Sequence, residues 1–322
     1  MPLREFSVLW LEKYARGQVR PATMDLYRWL LDGHILPVLG DMPLNRLGAE
    51  DIQGLKSSKL AEGLSPQSVK HMLRVLRQML GHAVSWEYIR TNPTRDVKAP
   101  TIPRREMDCL SPAEVRLFLA QVPAKWYAFF LTAITTGLRI GELLGMKWGN
   151  LDWNSGRYHV KEMWARPRRG VKAGFAVPKT VGSAQPVDLT PACIAALREH
   201  QQRQAEVKLT AGNEYQDLGL IFATDKGTPW DHRNVARRYF EPALRAAGLR
   251  IIRLHDLRHT CASLLIAQGE SIKYVQRQLR HASSQMTLDR YGHLFPDPNR
   301  AAASRLDDTL FGASPAAKQK TI

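Results

Sequence analysis

The chain has 322 residues, of which 44% are hydrophobic and 24% charged, enough for two globular domains of ordinary size. No stretch approaches the ~18 consecutive apolar residues of a membrane-spanning helix, the N-terminus lacks a signal-peptide layout, and three widely spaced cysteines form neither a metal motif nor a disulfide framework. The formal net charge is +16, and residues 1–105 carry 16 basic and 10 acidic groups against 30 and 20 in the remainder. Both halves therefore suit one polyanionic partner, nucleic acid rather than membrane, in a reducing cytosol.

The first hundred residues have the pattern of helices joined by short turns. Pro66 follows Ser65 at the first position of a helix whose apolar residues run from Val69 to Ala83. The polar side of this helix carries Lys70, Arg74 and Arg77. That side is either an ordinary solvated face or a face laid along DNA phosphates.

A proline-rich break separates two domains. Residues 92–105 contain Asn92-Pro93 and the run APTIPRR, which is typical of a semi-rigid linker. We expect a helical domain over 1–100, a linker over 101–107, a second domain over 108–298 and a tail over 299–322.

The second domain begins with a capping-box pattern at Ser111 and continues as helices to about residue 148. Short strands are predicted over 157–164, 175–177 and 185–189, and helices return over 191–209 and 230–291. The predicted fold class is mainly α with a small β-sheet (α+β).

The segment LHDLRHT, residues 254–260, is the most informative part of the chain. On a helix, His255 and Arg258 share a face, and an arginine fork suits two phosphate oxygens. An ordinary charged helix N-terminus explains the segment equally well. Arg139 also has two interpretations. It follows an apolar helix and lies between two glycines, which allow the backbone to approach a ligand closely. It is equally explained as a structural arginine paired with Glu142.

Three further residues attract attention only in combination. Tyr291 lies ten residues after His281, and Lys179 lies in a turn between predicted strands. Taken singly, a buried tyrosine or histidine is usually a packing residue and a turn lysine is usually solvated.

Together these residues resemble one family, the tyrosine recombinases, with phage and mobile-element integrases as the nearest branch. The segments TTGLRIGEL, HDLRHT and RYGHLFP closely resemble the usual motifs of this family, and the resemblance covers nearly the whole chain. It implies a helical core-binding domain that clamps DNA and a mixed α/β catalytic domain. The implied catalytic residues, in the family's order, are Arg139, Lys179, His255, Arg258, His281 and Tyr291.

The resemblance also implies a reaction. The Tyr291 phenol attacks a DNA phosphodiester, forming a 3′-phosphotyrosyl bond and releasing a 5′-hydroxyl. Arg139 and Arg258 bind the non-bridging oxygens, and Lys179 protonates the leaving oxygen. No metal cofactor or ATP is required, because the arginines neutralise the phosphate and the covalent intermediate stores the bond energy.

Other roles follow from the same resemblance. The two histidines hydrogen-bond the phosphate or assist proton movement, and Glu142 orients Arg139 or His255. The resemblance implies strand exchange through a Holliday junction, carried out by a homotetramer on two double-stranded DNA sites. It places the protein in the bacterial cytosol at the nucleoid. Accessory factors that bend DNA or set directionality are possible additional partners. The tail after Pro298 is a candidate contact between protomers.

The sequence offers nine basic candidates for contacts with the DNA backbone. They are Lys70, Arg74, Arg77, Arg104, Arg105, Arg166, Arg168, Arg169 and Lys172. The loop over 166–172 is either such an element or a solvated charge run.

The chain departs from the family's pattern at two positions. Arg280 stands where glycine usually precedes the histidine, and Gln185 stands where arginine is frequent. Many integrases have an additional domain that binds arm-type DNA sites, and because the core-binding pattern begins within the first ten residues, we expect that domain to be either lacking or truncated. The rival functions are a type IB topoisomerase-like relaxer and a catalytically silent DNA-binding protein.

Overall fold

The computed structural model describes residues 1–102, 107–165, 167, 173–177, 185–295 and 300–312, without the side chains of 300–304. The chain forms two compact units, and the main division falls after Glu106. Some of the residues singled out above lie outside the described part: Arg104, Arg105, Arg166, Arg168, Arg169, Lys172 and Lys179.

The first unit is helical. Its helices are α1 (Leu3–Trp10), α2 (Arg16–Gln18), α3 (Pro21–Leu30), α4 (Leu36–Leu39), α5 (Ala49–Ala61) and α6 (Pro66–Ser85), with π-helical turns at Leu11–Ala15 and Leu31–Ile35 and a 3₁₀ turn at Leu44–Arg46.

Helix α6 is the long central helix of this unit. The Ser65 hydroxyl caps it by accepting the backbone N–H of Ser68 at 3.1 Å, and Pro66 occupies the first turn, as the sequence predicts. Its apolar face from Val69 to Ala83 is buried in the core of the unit.

A partly buried polar contact links α1 to α6. Trp10 Nε1 donates to His82 Nδ1 at 2.7 Å. His82 lies against Tyr14 and stacks on Trp86, with ring centroids 4.1 and 5.6 Å away. Burial lowers the pKa of His82, so the neutral ring remains able to accept the indole proton.

The second unit combines helices with short strands. Its helices are α7 (Pro112–Gln121), α8 (Ala124–Thr136), α9 (Ile140–Leu144), α10 (Pro191–Ala211), α11 (His232–Val235), α12 (Glu241–Ala246), α13 (Asp256–Ala267), α14 (Ile272–Leu279), α15 (Ser284–Tyr291) and α16 (Arg300–Phe311). Its strands are β1 (Leu151–Asp152), β2 (Arg157–His159), β3 (Met163–Ala165), β4 (Gly174–Ala176) and β5 (Pro186–Asp188).

The strands form two small antiparallel sheets. One sheet has the order β1-β2-β5, with Tyr158 opposite both Leu151 and Val187, and the other pairs β3 with β4. The predicted strand region over 157–164 is thus divided between the two sheets, because residues 160–162 pair with neither. The predicted fold class, mainly α with a small sheet, is confirmed.

Helix α8 is the centre of the second unit. It is buried on most of its surface and packs against α10 and α13. The short helix α9 follows it and lies directly on β3, since a Cβ at Gly141 would meet the Trp164 carbonyl oxygen at 2.9 Å. These contacts bring the segment of Arg139 next to the start of α13. Within the described residues, no helix has the length and apolar character needed to cross a membrane.

Candidate active site

Arg139 is held at the start of α9 by its own helix. The Glu142 carboxylate accepts the backbone N–H of Arg139 at 2.8 Å and its Nη1 at 3.1 Å. Glu142 is buried, whereas the side chain of Arg139 is 36% exposed. One part of the guanidinium is therefore fixed on Glu142 while the rest faces solvent, in agreement with the structural partner that the sequence suggests.

Arg258 is buried and tied to the ends of two helices. Its Nη1 donates to the Gly137 carbonyl at 2.6 Å, and its Nη2 donates to the Leu279 carbonyl at 2.5 Å. Gly137 ends α8 and Leu279 ends α14, so the cation lies where two helix dipoles are negative. Burial lowers the pKa of Arg258 to about 10, which leaves it charged at neutral pH.

Gly137 has two reasons to be glycine. Its φ of +63° is in the left-handed region, and a Cβ there would lie 2.6 Å from Leu279 Cδ2. The turn thus depends on a residue without a side chain to bring its carbonyl to Arg258.

These side chains line one open pocket of about 330 Å³. Four of the predicted catalytic residues contribute, as do three residues of α15. The lining residues are Arg139, His255, Arg258, His281, Met286, Asp289 and Arg290. Three guanidiniums against one carboxylate make this pocket suited to an anion such as a phosphodiester.

His281 is almost buried beside this pocket. Its Nδ1 lies 2.9 Å from Thr287 Oγ1. Burial, helped by the charges of Arg258 and Arg139, lowers the pKa of His281 to about 3. The imidazole is therefore neutral at pH 7 and available for hydrogen bonding.

Tyr291, at the end of α15, is fully buried. Its hydroxyl lies 2.7 Å from Nδ1 of His259, a residue of α13. Burial, helped by the charges of His255 and Arg290, lowers the pKa of His259 to about 4. We assign the phenol as the donor, because a neutral imidazole offers one acceptor nitrogen and a buried O–H without an acceptor is costly.

The same burial makes the phenol a weak acid. Burial raises the pKa of Tyr291 to about 12, although the charges of Arg258 and Arg290 act in the opposite direction. The phenolate is thus rare at neutral pH, and the tyrosine is not in its reactive form in this structure.

Arg280 departs from the family's pattern and is also buried. Its φ of +54° and ψ of +47° put it in the left-handed region where glycine is usual. Its guanidinium forms an ion pair with Glu142, the carboxylate that holds Arg139. The other departure, Gln185, is an exposed residue just before β5.

The structure brings five of the six predicted catalytic residues into one region, and Lys179 lies outside the described residues. Sequence reasoning missed His259, Arg290 and the side-chain role of Arg280. His259 was detectable in principle, since it is four residues after His255 on one helix face. Arg290 is adjacent to Tyr291 and offered no separate signal.

The described candidates for DNA contact lie along α6. Lys70, Arg74 and Arg77 are all exposed and recur at i, i+4 and i+7, on one face. Arg77 is partly committed within its own unit, because its Nη2 donates to the carbonyls of Thr94 and Val97 at 3.0 and 3.3 Å.

Comparison with known families agrees with this geometry. Residues 110–297 match the phage integrase family, and residues 3–60 match the N-terminal SAM-like domain of phage integrases. The chain belongs to the phage integrase family. It is a site-specific tyrosine recombinase, an enzyme that breaks and rejoins DNA, and the topoisomerase-like alternative is not favoured.

Similar proteins include enzymes of mobile elements. The recombinase is 29% identical over 317 residues to a tyrosine recombinase XerC-like protein of Caldanaerobacter subterraneus, covering 93% of this chain and 81% of the relative. It is 27% identical over 299 residues to the ICEBs1 integrase of Bacillus subtilis, covering 88% and 77%.

Solved structures share the fold. A Tn1549 transposon integrase in complex with transposon right end DNA superposes with a TM-score of 0.80 at 19% identity, covering 96% of the recombinase and 99% of that chain. A lambda integrase tetramer bound to a Holliday junction gives a TM-score of 0.66 at 21% identity, covering 93% and 79%.

Proposed function

We propose that the recombinase uses Tyr291 to exchange strands between two double-stranded DNA sites. The observation that carries this proposal is the cationic pocket, in which Arg139 and Arg258 converge beside His255 and His281, whose pKa values are lowered by burial. A DNA phosphodiester is the anion of matching chemistry, and the similar integrases named above were solved with DNA or a Holliday junction.

In the proposed reaction, the phosphate enters the pocket and its non-bridging oxygens bind Arg139 and Arg258. The phenol of Tyr291 gives its proton to a pocket histidine, His255 or His281, and its oxygen bonds to phosphorus. The bond from phosphorus to the 5′-oxygen breaks, and Lys179 gives that oxygen a proton. The arginines stabilise charge that grows at the phosphate in the transition state.

Tyr291 has to become accessible for this reaction. Its side chain is fully buried, and its hydroxyl is hydrogen-bonded to His259 rather than presented to the pocket. We propose that DNA binding moves the end of α15, and that the bound phosphate then lies beside the phenol.

His259 has a positioning role in this proposal. Its bond orients the phenol oxygen, and its low pKa keeps it an acceptor at neutral pH. His255 and His281 line the pocket and are suited to donate to the phosphate or to carry protons.

Assembly is the second part of the proposal. Helix α16 exposes Leu306, Leu310 and Phe311, by 58%, 62% and 81% respectively. Such an apolar surface on a terminal helix is suited to packing on a neighbouring protomer of a homotetramer on two DNA sites. Action at the bacterial nucleoid, with bending or directionality factors, completes the proposed setting.

The deciding experiment uses a suicide DNA substrate carrying a nicked attachment site. Wild-type protein is expected to form a covalent protein–DNA adduct without added metal or ATP, and Y291F is expected to form none. Absence of an adduct with the wild type on its own attachment site contradicts the proposal. The assembly part is tested by recombination between two such sites, which we expect to be lost when residues 299–322 are deleted. Full synapsis after that deletion contradicts this part of the proposal.

A further inference from the structure

Arg280 occupies a backbone position that favours glycine. Its φ and ψ of +54° and +47° are strained for a residue with a Cβ. Its side chain is nevertheless completely buried and contributes a full positive charge to the interior. The ion pair with Glu142 helps to offset both costs.

Glu142 is shared by two guanidiniums. Its Oε2 accepts the backbone N–H of Arg139 at 2.8 Å and also bonds Arg280 Nη2, while its Oε1 accepts Arg139 Nη1 at 3.1 Å. Glu142 and Arg280 are both within 2% of full burial. Their interaction is therefore weakly screened by solvent.

This sharing affects the charge that Arg139 presents to the pocket. If one buried carboxylate faced Arg139 alone, it would cancel most of that charge and draw the guanidinium towards the protein interior. With Arg280 on the same carboxylate, the three groups together carry a net charge of +1. The exposed part of Arg139 is then left positive towards a phosphate.

Arg280 also lies beside two other site residues in sequence. Leu279, whose carbonyl accepts Arg258 Nη2 at 2.5 Å, precedes it, and His281 follows it. The left-handed turn at Arg280 therefore ends α14 between the carbonyl that binds Arg258 and the histidine that lines the pocket.

We infer that Arg280 is a positioning residue for phosphate activation: by pairing with Glu142, it keeps the positive charge of Arg139 available to the scissile phosphate. This inference rests on the proposed role of Arg139. It concerns the chemical step, because most DNA affinity comes from many phosphate contacts elsewhere.

The test measures the rate of adduct formation at saturating protein, and separately the dissociation constant for the same DNA. R280M removes the charge and keeps the length, and R280G removes the charge together with the backbone strain. Both are expected to slow cleavage by about 10-fold or more, with DNA affinity within about 3-fold of wild type. R280K keeps the charge and is expected to stay within about 3-fold of the wild-type rate.

A double variant distinguishes this role from simple packing. In R280M/E142Q the carboxylate charge is also removed, so Arg139 is no longer neutralised and cleavage should be faster than in R280M. E87G is the control for relieving strain, because Glu87 has a φ of +65° in the first unit. It should leave the cleavage rate unchanged.

Two results would overturn the inference: wild-type cleavage rates in R280M and R280G, or an R280M/E142Q rate no faster than that of R280M. Both are read against a wild type that forms the adduct. Failure of the wild type itself would instead contradict the proposed function.

Discussion

The hydroxyl of Tyr291 and Nδ1 of His259 lie 2.7 Å apart, in a contact that joins the end of α15 to α13. Both side chains are buried, and the pKa of the histidine is lowered to about 4 while that of the tyrosine is raised to about 12. Proton transfer from phenol to imidazole is thus strongly uphill before DNA binds. The contact keeps the phenol neutral before DNA binds and fixes the position of its oxygen.

Replacing His259 separates orientation from packing. H259F should remove the acceptor, leave the phenol without a partner, and destabilise the protein by about 1–3 kcal/mol. We expect adduct formation to slow by about 10-fold, because the phenol oxygen is no longer oriented. H259N, whose amide lies near the position of Nδ1, should retain most of the rate. Equal rates in H259F and wild type, measured with the suicide substrate, would contradict the positioning role.

The buried histidines predict a loss of stability in acid. The pKa values of His259 and His281 are lowered to about 4 and about 3, below the ~6.5 of an exposed imidazole. Between these values the unfolded chain binds more protons than the folded chain. Their contribution is therefore complete above about pH 6.5 and is lost as the pH falls through 4 and then 3.

Denaturant unfolding at a series of pH values checks this. Each histidine should add a slope of up to about 1.4 kcal/mol per pH unit in the free energy of unfolding. H281Q should make the dependence shallower, whereas H293Q at an exposed position should not. An unchanged slope in H281Q would show that His281 is not held neutral by the fold.

Gly137 predicts a substitution that damages both fold and site. G137A places a Cβ at 2.6 Å from Leu279 Cδ2 in a left-handed turn, so the loss of stability should be about 2–4 kcal/mol. It should also slow cleavage, because the Gly137 carbonyl holds Arg258.

The matched control for this substitution is G248A. Gly248 has a φ of +67°, close to the +63° of Gly137, but nothing lies within 4 Å of a Cβ placed there. It should therefore show the backbone cost of about 1 kcal/mol without the steric one. Thermal unfolding of the two variants compares them, and equal losses would mean that the contact with Leu279 relaxes freely.

The exposed face of α6 predicts a change in the salt dependence of DNA binding. If Lys70 and Arg74 each neutralise one phosphate, K70A/R74A should lower the slope of log K against log salt by about 1.8. R77A should instead reduce the stability of the first unit, because Arg77 holds the Thr94 and Val97 carbonyls. Binding titrations over a range of salt test this, and an unchanged slope in K70A/R74A would place the DNA elsewhere.

Local patterns were sufficient for much of the fold. Apolar spacing, Pro66 at a first helical position and the capping box at Ser111 predicted helices that the structure contains, because such signals act within one turn. The division of residues 157–164 between two sheets was missed, because strand pairing depends on partners far along the chain.

The sequence by itself determined the family, the fold class and the identity of the residues that carry charge, because motif order and hydrophobic periodicity are properties of the chain alone. Only the tertiary structure decided how those residues are held. The bond from Tyr291 to His259 and the sharing of Glu142 by Arg139 and Arg280 join residues 32 and 138 positions apart. Such contacts arise when helices pack and exclude water, and their strength depends on that burial, which no local pattern encodes.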